Sequence, residues 1–140
     1  MNAEDNKRAV METWKAFASR DAATIAARFT DDAQWIAPAG NATALALKAA
    51  KRPMEKADIV QFIARDFGTL FIRDVKVEFT GIYGDGDVVV VEQRFQATLS
   101  SGAPYDNEYC FVIELQDGLI RRMREYMDTA KGHRMIFAEV

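Results

Sequence analysis

The hydrophobic period of the chain changes after Gly68, and this change limits the possible folds more than any other feature. Before Gly68, apolar residues recur at the three- and four-residue spacing of amphipathic helices. After it, apolar and polar residues alternate, as in strands with one buried face. Helices followed by a run of strands are typical of an α+β domain, in which helices cover one face of a sheet. At 140 residues the chain is predicted to form one domain, residues 1–140.

The first half of the chain is dominated by helical patterns. Val10, Trp14 and Phe17 fall on one helical face, and short polar residues precede each predicted helix as caps. The sequence predicts, in order, a helix capped by Asn2 or Asp5, a short helix over residues 22–29 capped by Asp21, a short strand over 35–37, a variable loop with at most one strand over 41–52, and a third helix from 53 to about 67.

Four long strands are predicted in the second half, over about 71–83, 87–99, 105–116 and 119–128. Gly-Asp-Gly-Asp at 84–87 and Gln-Asp-Gly at 116–118 are tight hairpin signals, so the strands are consecutive and antiparallel. Strict alternation puts Ile120 on the same face of the last strand as residues 122, 124, 126 and 128. The residues after this strand are predicted to form a tail that exposes His133.

Composition excludes several kinds of partner and cofactor. The net charge is −3, which disfavours a phosphate-binding surface and therefore nucleic acid. One histidine and one cysteine cannot supply the usual zinc ligands, and a lone Cys110 forms no intrachain disulfide. No signal peptide and no apolar run of about 20 residues is present. We therefore expect a cytoplasmic protein with no metal, cofactor, nucleic-acid or membrane partner.

Two segments resemble the SnoaL-like members of the NTF2-like superfamily. The first is Phe-Thr-Asp-Asp-Ala-Gln-Trp at 29–35 with Pro38 and Gly40; the second is Asp-Gly-Leu-Ile at 117–120 with Arg-Glu-Tyr-Met-Asp at 124–128. The resemblance implies a cystatin-like, cone-shaped α+β barrel, in which three N-terminal helices pack on a curved, mainly antiparallel sheet. It also implies a deep apolar cavity and a homodimer through the sheet. This fold carries isomerases, hydrolases, cyclases and non-catalytic binders, so the resemblance alone assigns no reaction.

Ketosteroid isomerases of this superfamily use three residues that this chain lacks. By similarity, the general base falls at Ala37, the oxyanion tyrosine at Thr13 and the protonated aspartate near Phe111. Alanine and phenylalanine transfer no proton, and threonine is a far weaker acid than tyrosine. The resemblance therefore argues against steroid isomerisation by that mechanism.

Limonene-type epoxide hydrolases resemble the chain over the last two hairpins. These enzymes use an Asp-Arg-Asp set. Its arginine falls at Arg94 and its last-strand aspartate at Asp128, but its other aspartate falls at Gln96. Their water-holding tyrosine and asparagine fall at Trp35 and Ala37. Because the set is incomplete, this mechanism is also disfavoured.

SnoaL-type polyketide cyclases use one aspartate in an apolar pocket, and Asp128 is the matching candidate here. A buried carboxylate can remove an activated C–H proton once burial has raised its pKa. Arg94 either assists Asp128 or forms a structural ion pair with it. The predicted ligand-binding residues, several of which could instead serve only the core or a neighbouring strand, are Trp35, Phe62, Gln96, Asn107, Tyr109, Phe111 and Tyr126.

Two functions follow as expectations. The first is a cofactor-independent isomerase, cyclase or hydrolase that acts on a small, mostly apolar, carbonyl-containing compound with Asp128 as acid and base. The second is a non-catalytic binding or dimeric interaction module with the same cavity. A basic group formed by Lys48, Lys51, Arg52 and Lys56 either guides an anionic substrate or is simply solvated surface.

Overall fold

A computed structural model describes residues 1–48 and 51–138 of the chain. Its helices are α1 (Ala3–Ser19), α2 (Ala22–Ala26), α3 (Ala42–Leu47), α4 (Lys56–Gln61), α5 (Phe67–Leu70) and α6 (Thr129–Ile136), with a π-helical segment, Phe62–Asp66, between α4 and α5. Its strands are β1 (Phe29–Ile36), β2 (Met54–Glu55), β3 (Phe71–Asp85), β4 (Val88–Leu99), β5 (Pro104–Gln116) and β6 (Leu119–Met127).

The six strands form one sheet in the order β2-β1-β6-β5-β4-β3. Strands β3 to β6 are an antiparallel meander, β1 is parallel to β6, and β2 is antiparallel to β1. The turn between β5 and β6 has positive φ at both Asp117 and Gly118, as a two-residue type I′ hairpin turn requires. The predicted α+β class, with a mainly antiparallel sheet, is therefore confirmed.

The N-terminal helices begin where the sequence places short polar caps. Oδ1 of Asn2 accepts a hydrogen bond from the Asp5 amide at 2.8 Å, and Asp21 caps α2 through the Thr24 amide at 2.9 Å. These contacts satisfy amide groups that have no partner within the first turn of a helix. Helix α1 then packs its apolar face on β3 and β4.

The inner face of the sheet carries most of the core. On β4 the inward residues are buried, among them Val89, Val91 and Phe95, whereas Glu92 and Arg94 on the other face are exposed. Alternation predicts these two groupings, and packing of the helices decides which one is inside.

Several boundaries differ from the sequence-based expectation. Residues 41–52 contain a helix, α3, which Asn41 caps through the Ala44 amide at 3.0 Å; residues 49–50 lie outside the described residues. Helix α2 is shorter than predicted because Phe29 begins β1. Helix α4 begins at Lys56 rather than at Pro53, since Met54 and Glu55 pair with β1.

The predicted tail is also different, because α6 follows β6 directly. Asp128 supplies the cap of this helix: Oδ1 accepts from the Lys131 amide at 3.0 Å. His133 lies within α6, half-buried, with its Nε2 3.2 Å from the Gly40 carbonyl oxygen. In residues 1–48 and 51–138, no helix has the length and apolarity that crossing a membrane requires.

Candidate active site

A cavity of about 270 Å³ lies between the helices and the inner face of the sheet. Its volume is close to the lower end of the range for small-molecule sites. Nine aromatic side chains contribute to its wall: Trp14, Phe17, Trp35, Phe62, Phe67, Phe71, Phe95, Tyr109 and Phe111. Such a wall favours a ligand with a planar or bulky apolar body.

Phe111 of β5 contacts three of the other aromatic side chains of this wall. Its ring lies 5.2 Å from Trp14 and 6.1 Å from Trp35, edge to face in both cases, and is stacked on Tyr109 at 6.0 Å. These distances and angles are the ones that aromatic pairs prefer. The contacts join α1, β1 and β5, so the wall is built from both halves of the chain.

Glu125 of β6 presents a carboxyl group to this apolar cavity. Oε1 accepts a hydrogen bond of 3.0 Å from the indole Nε1–H of Trp35, which is the only hydrogen bond to this carboxyl among the described residues. The other carboxyl oxygen has no such partner, so it is available to a ligand.

Burial raises the pKa of Glu125 from 4.5 to about 7. Loss of hydration disfavours the charged carboxylate and is the larger effect, whereas the Trp35 hydrogen bond favours the charged form and opposes it. A carboxyl with a pKa near neutrality is present in both protonation states, which is the condition for accepting and returning a proton.

A hydrogen-bonded network of polar side chains adjoins the cavity. The hydroxyl groups of Tyr105 and Tyr109 lie 2.7 Å apart, and Nδ2 of Asn107 donates to the Tyr105 hydroxyl at 3.2 Å and to the Asp128 carbonyl at 3.0 Å. Of these residues, Tyr109 lines the cavity. Burial raises the pKa of Tyr109 well above its ordinary value, and nearby negative charge, including that of Glu125, adds to the effect. Tyr109 is therefore a neutral hydrogen-bonding group on the same wall as Glu125.

Gln93 of β4 also faces the cavity, and its side-chain oxygen has no hydrogen-bond partner among the described residues. The residue is only 6% exposed. A buried amide oxygen without a partner costs free energy, so such groups are usually paired. A ligand that carries an N–H or O–H group can supply the missing partner.

Three cationic residues line the cavity as well. Lys51 and Arg52 are exposed, and Arg20 is half-buried. Lys51 forms ion pairs with Asp58 at 3.0 Å and Glu55 at 3.6 Å. Because these side chains reach solvent, they mark the open end of the cavity.

Four of the predicted ligand-binding residues line this cavity: Trp35, Phe62, Tyr109 and Phe111. Asn107 is fully buried outside the lining and reaches the cavity only through Tyr105 and Tyr109. Its amide is engaged in holding the end of β6, as the contact with the Asp128 carbonyl shows.

The structure does not bring the other four predicted site residues to the cavity. Arg94 lies on the outer face of β4 and forms a two-bonded ion pair with Asp106, at 2.9 and 2.6 Å. Gln96 shares that outer face, and Tyr126 is 53% exposed. Asp128 is exposed and caps α6. The predicted Arg94–Asp128 pair is thus corrected: each residue has another partner, and neither lines the cavity.

A bulge in β6 explains why strict alternation separates Glu125 from the buried Ile120, whereas Asp128 was selected by the family resemblance. Ile120 pairs with Leu115, but the next pair is Arg122 with Glu114, so Arg121 is an extra residue. A one-residue insertion exchanges the two faces of a strand beyond it. Ile120 therefore points inward, and so do residues 123 and 125 rather than 122, 124, 126 and 128.

Within the part of the chain that the structure describes, no group of three or more histidine, cysteine, aspartate or glutamate side chains is arranged to hold a metal ion. The polar groups of the cavity include a carboxyl, a phenol and an amide, from Glu125, Tyr109 and Gln93. Such groups support proton transfer and hydrogen bonding to an organic ligand.

Comparison with known proteins gives a family match and a large set of similar folds. The model of the SnoaL-like domain family matches residues 8–123. No curated protein matches the sequence.

Three solved structures illustrate the shared fold. An NTF2-like protein of unknown function from Burkholderia pseudomallei K96243 is 20% identical, with a TM-score of 0.79 over 94% of this chain and 97% of that one. TerC, co-crystallised with polyporic acid, is 22% identical, with a TM-score of 0.79 over 95% and 98%. An epoxide hydrolase of the LEH-like type from M. tuberculosis is 20% identical, with a TM-score of 0.72 over 98% and 92%. At these identities the likeness establishes the fold alone.

Proposed function

The chain belongs to the SnoaL-like domain family, and we propose that it is a cofactor-independent enzyme in which Glu125 moves a proton on a small, mostly apolar, carbonyl-containing compound. The observation that carries the proposal is the Glu125 carboxyl, which faces an aromatic cavity with a pKa of about 7. The carboxyl oxygen that Trp35 leaves free is the atom that would contact the substrate.

The reaction class is proton abstraction next to a carbonyl group. Ionised Glu125 takes the proton from the carbon, the C–H electron pair passes into the enolate, and the proton then returns from Glu125 to the same or another carbon. A buried carboxylate near its pKa can perform both steps at neutral pH. The same exchange of protons underlies isomerisation and the ring closure of activated carbonyl compounds.

Tyr109 is suited to stabilise the negative charge that develops on the carbonyl oxygen. The Tyr105 hydroxyl accepts a hydrogen bond from Asn107, so its own proton can be donated to the Tyr109 oxygen. That arrangement leaves the Tyr109 O–H free to donate into the cavity. A neutral donor already in position in a water-poor site stabilises an oxyanion strongly.

The test uses 2-tetralone, a compact apolar ketone with exchangeable protons beside its carbonyl group. Exchange of these protons in deuterated water is followed by NMR for wild type and Glu125→Gln. We expect wild type to accelerate the exchange at least tenfold over buffer, and Glu125→Gln to lose this acceleration, because general acid–base catalysis contributes about 100-fold or more. Glu125→Gln keeps the size of the side chain and a hydrogen-bond acceptor for Trp35.

Asp128→Asn is the matched control. Asp128 follows the end of β6, close to Glu125 in the chain, but its carboxylate lies outside the cavity. It should exchange 2-tetralone as wild type does. Saturable binding of the ketone with equal exchange in wild type and Glu125→Gln would contradict the enzyme and support the second function, a non-catalytic binding module. The incomplete isomerase and epoxide hydrolase residue sets favour this second function.

We also propose that the protein is a cytoplasmic homodimer that associates through the outer face of the sheet. The family resemblance supports such a dimer. Tyr126, 53% exposed on β6 beside Cys110 of β5, supplies a large side chain on that face. Aromatic residues of this kind are enriched in protein interfaces.

A further inference from the structure

Arg20 at the end of α1 occupies an unusual position on the cavity wall. It is the C-cap of the helix, with a φ of +55°, a left-handed conformation that glycine adopts at lower cost. This conformation is strained for an L-residue. The position carries a long cationic side chain, which reaches the cavity.

The Arg20 guanidinium is held in place by contacts that, among the described residues, include no anion. Its Nη1 donates to the Phe17 carbonyl at 3.0 Å, and its central carbon lies 4.3 Å from the centre of the Phe67 ring. Among the described residues it forms no ion pair, and burial alone lowers its pKa. Partly buried charges are normally paired, so this one lacks an anion.

The other two cations of the cavity are more exposed than Arg20, and one of them, Lys51, is already paired with carboxylates. Lys51 is already paired with Asp58 and Glu55, and Arg52 is exposed and donates through Nε to the Ala37 carbonyl at 2.8 Å. Arg20 is therefore the half-buried cation with donors still to be satisfied. Its planar group offers several N–H donors with the spacing of a carboxylate.

An aromatic wall connects Arg20 with Glu125. The ring of Phe67, on which Arg20 lies, is 6.0 Å from Phe62, and Phe62 is 5.6 Å from Trp35, which donates to Glu125. One ligand lying along this wall would have one end at a cation and the other at the proton-transferring carboxyl.

We propose that Arg20 binds a carboxylate of the ligand, so that the substrates of this site are apolar carboxylic acids. Their ring system packs on the wall formed by Phe67, Phe62 and Trp35, and their reacting carbon lies at the end of the molecule remote from the carboxylate. This proposal rests on the proposed function, because it names the substrate class of the same cavity. The mouth is then selective for anionic ligands, although the net charge of the protein is −3.

The experiment compares 2-naphthoate with 2-acetylnaphthalene, which have the same number of non-hydrogen atoms and differ in charge. Binding is measured by calorimetry and by the fluorescence of Trp14 and Trp35, which line the cavity. A charge-assisted hydrogen bond changes affinity by about tenfold or more. We expect wild type to bind 2-naphthoate at least tenfold more tightly than the ketone.

Arg20→Gln should remove this preference. Arg20→Lys should retain part of it, because the lysine ammonium group keeps the positive charge but cannot form two parallel hydrogen bonds to a carboxylate. The matched control is Arg8→Gln, which makes the same change of charge on the same helix at an exposed position. It should keep the preference of wild type. Circular dichroism establishes that each variant is folded before binding is measured.

The possible failures are distinguishable. Equal affinity of wild type for the two probes would overturn the carboxylate site and leave the proposed proton transfer at Glu125 intact. Loss of the preference for 2-naphthoate in Arg8→Gln as well as in Arg20→Gln would show that the preference comes from the overall electrostatic field of the protein. That result would also overturn the proposed carboxylate site at Arg20. Binding of neither probe to wild type would overturn both the site and the proposed function.

Discussion

The indole Nε1–H of Trp35 donates a hydrogen bond of 3.0 Å to Oε1 of Glu125, although the two residues are 90 positions apart in the chain. The contact depends on the parallel pairing of β1 with β6, which places Trp35 opposite Met123, two residues from Glu125. The sheet thus brings a neutral donor from the N-terminal half to a carboxyl from the last strand. Burial and this single donor act in opposite directions on the pKa of Glu125.

The stability of the protein should depend on pH through Glu125. Its folded pKa of about 7 lies above the ordinary 4.5, so the folded state holds the proton more tightly than the unfolded state. The contribution of this group to the free energy of unfolding is therefore largest below pH 4.5 and is lost as pH rises to about 7. A shift of this size corresponds to about 3 kcal/mol.

The measurement is urea unfolding of wild type and Glu125→Gln at about pH 5 and about pH 8. Glutamine does not titrate, so the difference in stability between the two proteins should move in favour of the variant as pH rises. A difference that is the same at both pH values would show that Glu125 titrates normally. Comparison with the variant removes the contributions of the other carboxyl groups.

Removal of the indole donor should raise the pKa of Glu125 further. The Trp35 hydrogen bond favours the ionised form, and a hydrogen bond to a charged group is worth about one pKa unit or more. The carboxyl carbon of Glu125 is titrated by NMR in wild type and in Trp35→Phe. Trp14→Phe is the control, since Trp14 lines the same cavity and gives Glu125 no hydrogen bond. A titration unchanged by Trp35→Phe would contradict the role of the donor.

Much of the fold could be predicted from periodicity and turn chemistry, because these are local properties of the sequence. The hairpin at Asp117 and Gly118 requires positive φ at two positions, and that requirement is visible in the residue types. Helix α3 was harder to predict, because its alanine-rich sequence also alternates weakly. Only its capping by Asn41 and its packing against neighbours distinguish the helix from a loop.

Only part of the candidate site could be predicted, because the pairing register of β6 with β5 shifts within the strand. Trp35, Phe62, Tyr109 and Phe111 are apolar or aromatic residues on regular elements, so pattern alone directs them inward. Glu125 lies beyond the extra residue Arg121, and strict alternation separates it from Ile120, although both side chains point inward. In a regular strand one of two neighbouring residues faces the core, but residues 121 and 122 are both arginine. This pair is the sequence signal of the irregularity.

Asp128 should contribute to stability and not to proton transfer. Its side chain caps α6 through the Lys131 amide at 3.0 Å and is exposed. Asp128→Ala should therefore lower the free energy of unfolding by about 1 kcal/mol, as the loss of a helix N-cap does. The 2-tetralone exchange rate should stay at the wild-type value. A large loss of exchange in a folded Asp128→Ala protein would restore the interpretation of Asp128 as the acid and base.

The Gln93 side chain should lower the free energy of unfolding and, at the same time, improve the binding of ligands that donate a hydrogen bond. Its side-chain oxygen is buried without a partner, so Gln93→Met, which is similar in length and apolar, should raise the free energy of unfolding by about 1 kcal/mol. Affinity for ligands that donate a hydrogen bond should fall, whereas affinity for 2-acetylnaphthalene, which has no donor, should not. Probe pairs such as 2-naphthol and naphthalene measure this difference. A destabilised Gln93→Met protein would show that the amide is satisfied in solution.

The proposed dimer predicts a mass near twice 15.7 kDa by size-exclusion chromatography with light scattering at micromolar concentration. Tyr126→Glu would place a charge in the interface, and burial of an unpaired charge is costly, so this variant should dissociate to monomers. Leu45→Glu makes a comparable change on α3, away from the sheet, where Leu45 is 46% exposed, and should leave the mass unchanged. A monomeric wild type would exclude the dimer, and a dimeric Tyr126→Glu protein would place its interface elsewhere.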